Sequence, residues 1–172
     1  MTIPSLPTRD DFWDTIERAW STIDDGGARA LLLSENAEER LAVASTLVNK
    51  HTESMLVELR IILRQYNPPQ LAAWDAHCER ALYDLDREDV HEALDGSDDG
   101  FLYARGFVVA AGRKHYEAVF TEPLKWGIMD VEEESMCYLG CHLYMDVFGE
   151  WPPRTGISRE TCSNKDGWPA LS

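Results

Sequence analysis

Apolar positions recur at helical spacing along most of the chain. Phe12, Ile16, Ala19, Trp20 and Ile23 step by three or four, which marks one face of an α-helix, and Trp13 stands beside that stripe. Thr8 and Asp11 fit a capping box with Asp in place of the usual Glu, and Gly26-Gly27 closes the segment. Ala28 to Leu33 adds a further turn or two. Asn36 and Glu39 form a second capping box ahead of the longest pattern: Leu41, Ala44, Val48, Thr52, Met55, Leu59, Ile62 and Tyr66, with no Gly or Pro inside it. About thirty residues at ~1.5 Å each predict a helix of roughly 45 Å, and a kink would fall near His51-Thr52. Pro68-Pro69 ends it and opens the next helix, whose stripe is Leu71, Trp74, Cys78, Ala81, Leu82 and Leu85. Asp86 is placed to cap a short helix carrying Val90, Ala93 and Leu94, which Gly96 ends.

The pattern then changes abruptly. Eight acids lie between Asp84 and Asp99 against one basic residue, Arg87, and the chain turns apolar from Phe101 to Ala111 with Arg105 as the only charge in that run. Ser97 or Asp98 is a good N-cap, and acids in a first turn suit the helix dipole. A helix apolar nearly all round is a buried helix. An arginine on it needs a partner, because an uncompensated buried charge costs several kcal/mol. Asp98, Asp99, Glu132, Glu133 and Glu134 are the expected carboxylates, brought to Arg105 if the two most apolar helices pack together. Arg113 to Phe120 reads as a short helix, Thr121 to Met129 as a loop around Pro123, and Val131 to Phe148 as a last long helix capped by Asp130. From Gly149 onward Pro152, Pro153, Gly156, Gly167 and Pro169 break any helix, while Trp151 and Trp168 predict a tail packed on the body. The expected fold is one all-α domain over residues 1–172. It is a multi-helix bundle with a central buried helix starting at Ser97-Asp98-Asp99, a leader over 1–7 and an irregular tail over 149–172.

Charge narrows the function classes. With 31 acidic against 16 basic residues the chain carries −15. That opposes binding to nucleic acid and to anionic membranes and favours a basic protein partner. Met1-Thr2-Ile3-Pro4 shows no secretory pattern, and no apolar run approaches the ~18 residues a membrane span requires. A cytoplasmic protein with reduced cysteines is expected.

Candidate chemistry is sparse. Nucleophile-elbow, phosphate-loop and dinucleotide motifs are absent, so no cofactor is expected. Asp95, Ser97, Asp99, Gly100 and Leu102 match the first half of a calcium loop, but the position of its bidentate Glu is Gly106. Cys137 and Cys141 share a helix face while His142 points away from it, and Cys78 and Cys162 stand alone. No metal is expected. What remains is a candidate ligand pocket of Asp98, Asp99, Arg105, Glu132, Glu133 and Glu134, with Trp13 as a stacking surface. An arginine there would suit a carboxylate or phosphate by bidentate hydrogen bonding. Two readings stand: an interaction or regulatory domain for a basic partner, or a ligand-binding protein or enzyme built on that pocket.

Phe12-Trp13 in the first helix, followed by Ser97-Asp98-Asp99-Gly100-Phe101, Arg105 and Gly112, resembles DUF4240, a family of bacterial domains of unknown function. Pro123 and Glu132 to Glu134 stand where that pattern has a Pro-containing loop and a Glu-rich final helix. Ala104, Phe107 and Val108-Val109 replace its usual Phe, Trp and Leu-Ile. The resemblance implies a helical domain and carries no catalytic residue with it.

Overall fold

Thr8 begins the structured body as its sequence predicts. Its hydroxyl accepts from the Asp11 amide at 3.2 Å while the Asp11 carboxylate accepts from the Thr8 amide at 2.8 Å. The computed structural model describes residues 5–169; residues 1–4 of the expected leader and 170–172 of the expected tail lie outside them. Helices α1 (Arg9–Trp20), α2 (Ala37–Leu47), α3 (Glu53–Leu63), α4 (Pro68–Asp84), α5 (Glu88–Leu94), α6 (Asp98–Ala110), α7 (Arg113–Thr121), α8 (Pro123–Trp126) and α9 (Glu134–Phe148) build the fold, and no strand occurs among the described residues. The protein is all-α.

The long central pattern is one continuous helical path. α2 passes through a π-helical turn at Val48–Thr52 into α3. The Thr52 hydroxyl donates to the Leu47 carbonyl at 3.0 Å. That bond draws on a carbonyl a regular helix would give to an amide, and such insertions widen the turn. Pro68 follows at the first position of α4, behind an Asn67–Gln70 capping box.

α6 is buried at Phe101, Leu102 and every residue from Ala104 to Ala110, and it packs against α4, α5, α7 and α9. Two glycines set how closely α9 approaches its neighbours. A Cβ on Gly106 would overlap the Glu133 carbonyl oxygen and sit 2.6 Å from Cys137 Sγ. One on Gly140 would sit 2.6 Å from Asp75 Oδ1.

Ala28–Leu33 adds the expected further turns, as a 3-10 helix. Three local expectations are corrected. The stretch after Thr121 contains the short α8 instead of running entirely as loop. Asp130 has a positive φ of 59°, so it turns the chain and cannot cap; α9 starts later, with Glu133 accepting from the Ser135 amide at 3.2 Å. Asp86 does not cap α5 either, because its carboxylate points inward. Of the tail's two tryptophans, Trp168 is buried and Trp151 is exposed.

Candidate functional site

Arg105 is fully enclosed, with 0% exposure. Its guanidinium donates from Nη1 to the Leu82 carbonyl at 2.8 Å and from Nη2 to the Thr161 hydroxyl at 3.1 Å. It lies 4.6 Å from the centre of the Phe101 ring, and Nε has no hydrogen-bond partner among the described residues. Thr161 in turn donates to the Asp98 carbonyl at 2.6 Å, which ties the tail to the start of α6. Burial lowers the Arg105 pKa from its ordinary value, and the leading charge opposing that shift is Asp86. The expected ligation by Asp98, Asp99 or Glu132–Glu134 is therefore replaced by a carbonyl and a hydroxyl. The Leu82 carbonyl on α4 and the Thr161 hydroxyl on the tail each take one donor from a terminal nitrogen, and the buried Asp86 carboxylate supplies the compensating charge without a direct bond.

The predicted acids gather elsewhere, at the N-terminal ends of α6 and α9. Asp98, Asp99, Glu132 and Glu134 are exposed and Glu133 is half-buried. A Cβ on Gly100 would lie 3.1 Å from Glu132 Oε1, so that carboxylate rests over the first turn of α6. Partial burial and the Glu134 and Asp99 carboxylates push the Tyr103 hydroxyl above its ordinary pKa. Burial also raises Glu133, with Glu53 and Glu134 nearby adding to the shift. Trp13 is not among these residues. It is core, 2% exposed, packed between Phe12 and Tyr116 at ring distances of 4.8 and 4.7 Å.

Two buried carboxylates absent from the predicted set organise the tail instead. Asp86, 0% exposed, accepts from the amides of Cys162 and Asn164 at 3.0 and 2.9 Å and from the Trp168 indole at 2.9 Å. Asp75 on α4 pairs with Arg159, which also donates to the Cys137 carbonyl. Beside Arg159 the tail and α4 enclose a cleft of about 500 Å³, lined among others by Glu79, Cys141 and Arg154. Cys78 and Cys137 are buried and their thiols are pushed up by that burial, Cys137 to about 12. They are therefore protonated and unreactive at neutral pH. No group of three or more His, Cys, Asp or Glu is arranged to hold a metal ion among the described residues.

A second cleft, of about 280 Å³, opens where α7 begins, between α1 and the Ala28–Leu33 turn. Its wall includes His115, a residue no sequence pattern singles out as functional. The signal available was its position four residues before Val119, on the buried face of a short helix.

The family model described as "Protein of unknown function (DUF4240)" matches residues 8–150, so the tail that carries Arg159, Thr161 and Trp168 lies past the matched stretch. No curated protein and no solved structure matches the chain.

Proposed function

Since the chain belongs to the DUF4240 family, whose function is unknown, we propose that it is a cytoplasmic, non-enzymatic interaction module that recognises a basic protein surface with the acidic ends of α6 and α9. The supporting observation is that Asp98, Asp99, Glu132 and Glu134 are exposed while the ion pairs among the described residues are made by other acids. Their field is thus unneutralised, in a chain already at −15. Such a surface speeds and orients the approach of a cationic partner and repels nucleic acid. No helix among the described residues is long and apolar enough to cross a membrane. The rival reading, a ligand pocket built on Arg105, has less support because that guanidinium is enclosed and already bonded on both terminal nitrogens.

The test is a pull-down from cell extract at low and moderate salt, run with the wild type and with Asp99→Asn/Glu132→Gln/Glu134→Gln. A basic protein captured by the wild type at low salt, weakened by salt and lost from the triple variant, is the expected result. Absence of any partner at either salt, or equal capture by the variant, rejects the reading.

A further inference from the structure

Three aromatic side chains form a stripe along the outer edge of α9. Tyr138 and His142 are four residues apart, so they share a helix face, and their rings stack at 5.6 Å with 19° between their planes. Trp151 follows the end of the helix and returns onto His142, 5.9 Å away. His142 is exposed, and Trp151 is 59% exposed. Single exposed apolar residues need no explanation, but rings in contact with one another make a patch. Neither the Trp151 indole nor the His142 imidazole has a hydrogen-bond partner among the described residues. From Glu134 to His142 is eight residues of helix, about 12 Å, and the ring of Trp151 carries the stripe to about 18 Å.

Charge gives this stripe a direction. Glu134 stands one turn before Tyr138 on the same face and is exposed. Glu160, also exposed, acts on the Tyr138 hydroxyl, which burial and that carboxylate push up to about 12. The cation beneath the Tyr138 ring, Arg159 at 5.8 Å, is paired with Asp75 and Glu79. Arg154 is exposed beyond Trp151 and shares the 500 Å³ cleft with it. The stripe is therefore negative where α9 begins and positive at the far end. Pro152 and Ile157 line that cleft beside Trp151 and extend the apolar surface.

A row of aromatic rings is the surface on which a polyproline II segment docks. Such a segment makes no internal hydrogen bonds, so its carbonyls need outside donors. Tyr and Trp each offer an apolar face together with one O–H or N–H. Six residues of polyproline II at ~3.1 Å each cover about 19 Å, the length of the stripe. We infer that this stripe docks a proline-rich segment of the basic partner, with its prolines on Tyr138, His142 and Trp151 and its basic residues toward Glu134 and Glu160. The inference rests on the proposed reading that the partner is basic, and it adds which part of that partner is recognised and where.

The experiment titrates the full-length protein by calorimetry, at about 0.15 M salt, with a peptide of four Arg-Pro-Pro repeats. Peptides of four Arg-Gly-Ser and four Glu-Pro-Pro repeats are the controls, and the His142 ring signals are followed by NMR. The Arg-Pro-Pro peptide is expected to bind saturably and to move the His142 ring, while both controls bind at least tenfold more weakly. Trp151→Ala and His142→Ala, both at exposed positions, are each expected to weaken binding about tenfold, as the loss of an aromatic anchor does. Absence of saturable binding, equal binding of either control, or binding unchanged by Trp151→Ala overturns the inference. The partner reading fails separately. A basic protein pulled down equally well by wild type and Trp151→Ala leaves that reading standing and overturns this one. Trp151-dependent binding of the Arg-Pro-Pro peptide, with no basic protein captured, upholds the stripe as a docking surface and rejects the acidic helix ends as the partner's site.

Discussion

Asp75 and Arg159, 84 residues apart in sequence, meet in a buried ion pair in which Arg159 Nη2 lies 3.3 Å from Asp75 Oδ2 and 3.5 Å from Oδ1. Burial holds the Asp75 carboxyl above its ordinary range despite the opposing field of Arg159. Removing the arginine strands that carboxylate in the core. Arg159→Met is expected to cost about 3–5 kcal/mol in urea unfolding at neutral pH. Asp75→Asn/Arg159→Met should cost less than the sum of its single variants by about 1–3 kcal/mol. The sign with pH follows from linkage. A carboxyl whose folded pKa lies above its unfolded value binds more protons in the native state, so stability rises as pH falls through that window. The deficit of Arg159→Met should therefore shrink on acidification. Additive single variants, or a deficit independent of pH, would refute the coupling.

Asp86 gives the tail its second anchor, and its loss should act on the tail first. The Cys162 and Asn164 amides and the Trp168 indole all donate to this one carboxylate. Asp86→Ala leaves those donors without their acceptor, at about 1–3 kcal/mol for each that stays buried. Because the tail is otherwise irregular, it is expected to release part of that cost by opening. Hydrogen exchange over residues 150–169 should then accelerate far more than exchange in α4 or α6. Uniform acceleration across all helices would show instead that Asp86 holds the core and not the tail.

Gly106→Ala tests the contact between α6 and α9. The added methyl would meet the Glu133 carbonyl and Cys137 Sγ, and both are held by the start of α9. Overpacking of this kind costs about 1–3 kcal/mol, even though alanine favours helix more than glycine does by about 1 kcal/mol. A raised melting temperature would show that α9 can move aside.

What was legible in the sequence was local. The Thr8–Asp11 box, the uninterrupted stripe from Leu41 to Tyr66 and the apolar run after Ser97 each declare an element through neighbours three or four residues away. The same logic misled at Asp86, where an acid ahead of a helix reads as a cap although its partners sit at positions 162, 164 and 168. Arg105 showed correctly that it needed partners but not which ones, because the Leu82 carbonyl belongs to no residue type. Arg159 lies in a Pro- and Gly-broken stretch with no periodicity to show that it points inward. His115 shares its face with Tyr116 and Val119, and only the three-dimensional wall around it shows that its nitrogens are idle.

His115 should also leave a signature in the pH dependence of stability. Its folded pKa, about 4, lies below the 6.5 of a free imidazole. Between those values the unfolded chain binds a proton that the native state refuses, so stability is lost as pH falls from about 6.5 toward 4. At about 1.4 kcal/mol per unit the loss approaches roughly 3 kcal/mol. Asp75, Asp84 and Glu133, whose carboxyls burial raises, push the opposite way near the acid end of this range. The effect is therefore read as the difference between wild type and His115→Phe, measured by urea unfolding at a series of pH values. Phe keeps the ring and its packing against Phe107, whose centroid lies 6.0 Å away, and removes the titration. The variant's stability relative to wild type should improve steadily on acidification through the window and stay constant above it. Parallel curves would mean that His115 takes up its proton in the folded state at an ordinary pH, which requires water or a counter-charge to reach its ring.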